Sequence, residues 1–356
     1  MDFTNETLME MNKRKINYNN KYANWYIEMS KELKTPLQAY SEMLFRKSKR
    51  IRNCLNIWTW DVYKNNKLMD LQKVNRCMNN RFCPNCRKWD LAGAIHNLKN
   101  PFNKLLLEGY NPYLVTLTIP NIHGPELRNT IEKMNKAFKK LFKALNYSLN
   151  KTTKGFDNRL IEVDAALKVL EITYNFTADT YHPHFHCLFF SQDYDQSLFL
   201  KTMPGEYSNK RKSYNFYSLM DVQIMKIWTL AYTGQRMTLK NYDNLNLEDL
   251  YLCDIREMDS SGIVEVLKYT FKDTDIPTYE VFKTIEMAIE RKRIRQGYGL
   301  LYNLKLEGDT DGEKLSLEEF LSEPEDPEEL IIYEIKQLVS NYKDYRKISR
   351  FKGEEI

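Results

Sequence analysis

The sequence predicts a mixed α+β protein with antiparallel strand pairing, and three stretches carry that prediction. NPYLVTLTIP, residues 111–120, reads as a strand bounded by proline, and ALKVLEITYNF, residues 166–176, reads as a second. YHPHFHCLFF, residues 181–190, follows after a short polar connection and reads as a third. Ahead of them, residues 91–107 carry the periodicity of a helix. A chain of 356 residues is long for one compact core, so two domains, or one with appendages, are expected.

In chain order, residues 1–53 are polar, rich in Asn and Lys, and intermittently helical in pattern. Residues 54–95 hold a cysteine cluster. RCMNNRFCPNCRKW, residues 76–89, brings Cys77, Cys83 and Cys86 close together, and the two-residue gap between Cys83 and Cys86 lets both thiolates reach one tetrahedral ion. Cys54 is the natural fourth ligand of a structural Zn²⁺ site, with His96 in reserve. Redox chemistry is the rival reading of CPNC, but no thioredoxin-like βαβ pattern surrounds it. Cys187 and Cys253 lie in apolar, strand-like runs and read as ordinary buried thiols.

Residues 96–280 contain the strands and the remaining chemistry. A strand has period two, so His182, His184 and His186 share one face. Neutral imidazole offers a lone pair without a charge to desolvate, which suits a divalent metal. A hairpin turning at Thr177 and Ala178 would set Glu171 opposite His184, and a carboxylate beside imidazoles suits Mn²⁺ or Mg²⁺, with Zn²⁺ harder to exclude. A solvent-facing strand that carries these residues is the plain alternative. Further on, SSGIVEVLKYTFKDTD, residues 260–275, reads as a helix with Glu265, Lys268, Tyr269 and Lys272 on one side and Ile263, Val266, Leu267 and Phe271 on the other. A tyrosine can attack phosphorus if a metal polarises the phosphate and lysines hold the developing charge. On periodicity alone, an exposed polar helix face explains the same pattern.

Residues 281–306 read as a basic helical extension, residues 307–329 as an acidic linker, and residues 330–356 as a helical C-terminal tail. The linker carries −10 of charge, so the formal +5 of the whole chain leaves +15 on the remainder. Clusters of Arg46, Lys47, Lys49, Arg50 and Arg52, and of Arg291, Lys292, Arg293 and Arg295, suit a polyanion such as DNA, although a solvated helix face would look similar. No long uncharged apolar run and no charged-then-apolar leader stand out, so a cytoplasmic protein without a membrane partner is expected. Oligomeric state is not readable.

The order of these motifs resembles the rolling-circle plasmid replication initiators of Gram-positive bacteria, members of the HUH endonuclease superfamily. RFCPNC resembles their RxCPxC segment, LVTLTI their first motif, LEITYN with YHPHFHCLFF their paired strands, and EVLKYTFKDTD their tyrosine signature. The resemblance implies a central antiparallel sheet flanked by helices, with His184 and His186 binding a metal completed by Glu171 or His182. It implies Tyr269 as nucleophile toward a phosphodiester at the plasmid double-strand origin, leaving a 5′-phosphotyrosyl enzyme and a 3′-hydroxyl that primes a host polymerase. Glu265 would activate water at termination, and a host helicase would be a further partner. Two other readings stay open: a relaxase or transposase using the same chemistry, and a zinc-containing DNA-binding regulator without nuclease activity.

Overall fold

The computed structural model describes residues 5–33, 38–54, 58–62, 69–74, 76–146, 160–193, 195–208, 213–258, 266–267 and 276–306. These fall into two compact units divided between Ala92 and Gly93.

In the first unit, α1 (Asn5–Glu32) and α2 (Gln38–Arg52) precede a two-stranded antiparallel ribbon of β1 (Trp58–Val62) and β2 (Met69–Val74). Tyr22, Tyr26 and Met29 are buried at helical spacing on α1, as are Ser41, Leu44, Ser48 and Ile51 on α2. The two stripes meet where Ser41 Oγ donates to the Ser30 carbonyl at 2.6 Å. Phe82 packs on Tyr22 and Tyr26, with ring centroids 5.5 and 6.2 Å away. α3 (Pro84–Leu107) opens in this unit with proline at its first position, where no backbone N–H is needed.

The second unit is built on a five-stranded antiparallel sheet in the order β8-β3-β5-β4-β9. Its strands are β3 (Asn111–Leu117), β4 (Ala165–Asn175), β5 (Thr180–Ser191), β8 (Cys253–Glu257) and β9 (Arg295–Gly299). The expected strands at 111–120, 166–176 and 181–190 are thus present, and the expected helix at 91–107 is the later part of α3. The β4–β5 hairpin turns at Thr177 and Ala178, whose N–H groups both donate to Asn175 Oδ1. That turn pairs Glu171 with His184, Val169 with His186 and Thr173 with His182.

Alternation along β5 separates two chemistries. Phe185 and Phe189 face α4 (Leu127–Leu145), whose buried Ile131, Met134, Phe138, Leu141 and Leu145 recur at helical spacing. Trp228 of α5 (Leu219–Thr233) also meets Phe185. Lys168 is fully buried on this side, hydrogen-bonded to Asn135 with its ammonium 4.6 Å from the Phe185 ring centroid. The opposite face carries the three histidines, and further along β5 it carries Phe190, which packs on Phe102 of α3. Pro183 is tolerated in this inner strand because β3 pairs with β5 no further than Phe185. The neighbouring Tyr181 N–H, pointing the same way, is taken by Ile122 instead.

The long stretch without a recognised motif, residues 191–250, contains a second ribbon of β6 (Met203–Ser208) and β7 (Ser213–Tyr217), then α5 and the short α6 (Leu239–Asp243). The expected basic helical extension at 281–306 is corrected. α7 (Tyr279–Ile289) ends before the arginines, and the chain turns at Arg291, which has φ of 57°, into edge strand β9. The acidic linker and the tail lie outside the described residues. No helix among the described residues is long and apolar enough to cross a membrane.

Candidate metal centres and nucleic-acid interface

The two central strands deliver Glu171, His184 and His186 to one point, with one ligand atom from each lying within 4.8 Å of the others. Glu171 Oε2 is 2.7 Å from His186 Nε2 and 3.2 Å from His184 Nε2. The His182 carbonyl, 3.0 Å from His184 Nδ1, can only accept, so that nitrogen carries a proton and Nε2 is the atom turned toward the carboxylate. Thr116 Oγ1, in the same cross-strand row as His186, lies 3.5 Å from its Nδ1. Two imidazole nitrogens aimed at one carboxylate oxygen need either protons or a cation between them. Burial would push the Glu171 carboxyl up, but hydrogen bonds from His184 and His186 outweigh it and hold the pKa at about 2. The side chains of His184 and Glu171 are 10% and 15% exposed against 30% for His186, so the site opens on the His186 side.

His182 is not among the three converging residues. Its ring stacks on His184, with centroids 5.0 Å apart, and burial followed by the neighbouring His184 lowers its pKa. Strand pairing sets His182 against Thr173, one row further along the hairpin than the Glu171–His184 pair.

The second cluster joins Cys54, just past α2, with Cys77, Cys83 and Cys86, all buried. Sulfurs of Cys54 and Cys86, Cys77 and Cys86, and Cys83 and Cys54 lie 3.6, 3.4 and 3.6 Å apart. That is far beyond a disulfide bond of about 2.05 Å and close to the roughly 3.8 Å edge of a tetrahedron with Zn–S of about 2.3 Å. Met78, with φ of 56°, turns the chain so that the Asn79 N–H meets Cys77 Sγ at 3.4 Å. Hydrogen bonds from Cys54, Cys77 and Cys83 pull the Cys86 thiol down, while burial pushes Cys83 up. His96, the reserve ligand, lies exposed on α3 outside the group. Cys187 and Cys253 are buried free thiols, both pushed up by burial.

On α2, Arg46, Lys49, Arg50 and Arg52 are exposed, and Lys47 lies over the Tyr26 ring at 5.6 Å. Arg291 and Arg293 are exposed, and Lys292 is paired with Glu132. Arg295 departs from the expected DNA-facing cluster. It is only 5% exposed, and its guanidinium donates to the carbonyls of Leu306 and Leu267 at 3.3 and 3.5 Å. Strand pairing turns it inward, since β9 sets Arg295 against Val169 on the histidine face. Of the helix expected at 260–275, Val266 and Leu267 are helical and buried, whereas Glu265, Lys268, Tyr269 and Lys272 lie outside the described residues.

Sequence reasoning did not single out Thr116 or Asp221. The alternation in LVTLTI was the available signal for the first. Asp221 is fully buried at the start of α5, where it accepts from Ser218 N, Ile255 N and Lys201 Nζ. Nothing in a single acidic residue on an apolar helix announces that role.

Residues 68–346 match the family described as Replication protein. The chain is 29% identical over 216 residues to a "Protein rep" of Bacillus sp, covering 55% of this chain and 57% of that protein. It is 27% identical over 251 residues to a "Protein rep" of Bacillus amyloliquefaciens, covering 65% and 61%. A "Protein rep" of Staphylococcus aureus is 24% identical over 226 residues, covering 63% and 82%. The chain therefore spans 57% and 61% of the length of the two Bacillus relatives. No solved structure matches it.

Proposed function

Because the chain belongs to the family described as Replication protein, we propose that it initiates rolling-circle replication of a plasmid by metal-dependent nicking of DNA. The observation that carries this reading is the convergence of Glu171, His184 and His186 on the partly open face of the two central strands. One carboxylate oxygen and two oriented imidazole nitrogens form a mixed donor set that fits Mn²⁺ or Mg²⁺. A divalent ion held there would polarise one phosphodiester and neutralise its charge.

The chain's own residues supply the rest. The His182 carbonyl and Thr116 hold the two imidazoles in place. Tyr269 attacks phosphorus, forming a Tyr–O–P bond as the P–O3′ bond breaks; the phenol gives up its proton and the departing 3′-oxygen gains one. Lys268 and Lys272 offset the charge that builds on the phosphoryl oxygens. Glu265 takes a proton from water when the phosphotyrosine is hydrolysed. These four assignments are supported by the resemblance of EVLKYTFKDTD to the tyrosine signature of rolling-circle initiators. The four cysteines fit a structural Zn²⁺, and the exposed arginines and lysines of α2, with Arg291 and Arg293, bind the DNA backbone. A host helicase and DNA polymerase act on the product, in the cytoplasm.

The test is incubation of the full chain with Mn²⁺ and single-stranded oligonucleotides tiling the plasmid that carries the gene, followed by a search for a covalent adduct. Wild type should yield one cleavage site and an adduct. Tyr269→Phe should lose both and still bind DNA. Glu265→Gln should form the adduct yet fail to release it, slowed by about 10²–10⁴-fold. An adduct that survives Tyr269→Phe would remove the nucleophile assignment.

A further inference from the structure

Starting from the nicking reaction proposed above, we infer that Arg295 is a positioning residue that ties the backbone two residues before Tyr269 to the face carrying the metal ligands. Arg295, Val169, His186 and Thr116 form one cross-strand row, so the guanidinium rises from the same side of the sheet as the imidazole. Burying a cation is unfavourable unless its donors are used. Two of those donors are used here, Nη1 donating to the Leu306 carbonyl at 3.3 Å and Nη2 to the Leu267 carbonyl at 3.5 Å. One side chain thus joins two segments distant in sequence, and Leu267 is itself fully buried.

The fixed end of this tether is built tightly. Gly299 turns the chain with φ of 59°, and a Cβ there would come 1.9 Å from the Asp164 carbonyl oxygen. A Cβ on Gly297 would come equally close to the Leu301 oxygen. Leu300 N–H donates to Asp164 at 3.1 Å, and Asn97 holds the Lys305 carbonyl at 2.9 Å, so the chain returns to present Leu306 to the arginine. Arginine suits the position because its planar fork of donors can meet two acceptors at once, which an ammonium on a flexible stem does less well. A nucleophile must stand about 3–3.5 Å from phosphorus, and a displacement of about 1 Å can cost 10²-fold in rate. Fixing the carbonyl of Leu267 limits such displacement.

The experiment compares full-length wild type, Arg295→Lys and Arg295→Gln in four measurements: thermal unfolding, Mn²⁺ binding, single-turnover adduct formation on the tiling oligonucleotides, and backbone hydrogen exchange. The expected result is a fall of about 10–100-fold in adduct rate at saturating DNA, with Mn²⁺ affinity and DNA affinity unchanged. Exchange over residues 266–270 should quicken while Glu171 and His184 keep wild-type protection, and Lys should recover more rate than Gln. A wild-type adduct rate in Arg295→Gln overturns the inference. So does faster exchange spread equally over β4 and β5, or failure of both variants to fold, since each would make Arg295 a general support of the fold. If wild type itself forms no adduct, the nicking proposal fails, and unchanged exchange at 266–270 in Arg295→Gln would then separately remove the tether.

Discussion

Glu171 accepts from both imidazoles on a single oxygen, and the pH dependence of that arrangement has a definite sign. Its carboxyl ionises at about 2 in the folded chain against an ordinary 4.5. A depressed pKa contributes stability that is fully present above the ordinary value and is lost as pH falls through the folded one. In metal-free protein, the stability advantage of wild type over Glu171→Gln should therefore shrink as pH drops from about 4.5 toward about 2, as read by urea unfolding at each pH. An advantage that stays level through that window would mean the imidazoles do not hold the carboxylate. Glu171 was legible in the sequence because hairpin pairing follows from the turn alone, with no distant contact needed. Arg295 was not. RKRIR reads as a solvent-facing cluster, and only the long-range pairing of β9 with β4 turns its last arginine inward.

At the scale of elements, the cysteine cluster closes α2, the chain after β2 and the first turn of α3 onto one point. Structural zinc supplies on the order of 10 kcal/mol or more of apparent binding free energy, comparable with the whole stability of a domain at about 5–15 kcal/mol. Replacing Cys83 and Cys86 with serine should thus unfold the first unit instead of softening it. Metal analysis of wild type should find about one zinc per chain, and circular dichroism of the double variant should show lost helix. Protein purified without chelator that contains no zinc would refute this. The CPNC spacing made this element readable, and the alternation of YHPHFHC did the same for β5. The β6–β7 ribbon escaped because MPGEYS carries both Pro and Gly, which oppose a strand, and α5 escaped because it is apolar nearly all round and so lacks a helical stripe.

Over the whole molecule, the charge left outside the acidic segment is +15, and the exposed arginines and lysines of α2 belong to that excess. DNA affinity should consequently fall steeply with salt, by about 10³–10⁵ between 50 and 200 mM if six to ten phosphates are contacted. A filter-binding titration that gives a flat slope would count against a basic DNA-binding surface. The antiparallel hairpin at the sheet's centre also sets an order in time. β3, β4 and β5 are complete once Ser191 has been synthesised, whereas Tyr269 and β9 come later in the chain. Synthesis at about 5–20 residues per second leaves several seconds in which a ribosome-bound chain can pair its inner strands and bring Glu171, His184 and His186 together while the proposed nucleophile does not yet exist. If Tyr269 is the nucleophile proposed above, a nascent chain could not nick the DNA around it until that residue and the elements after it are made.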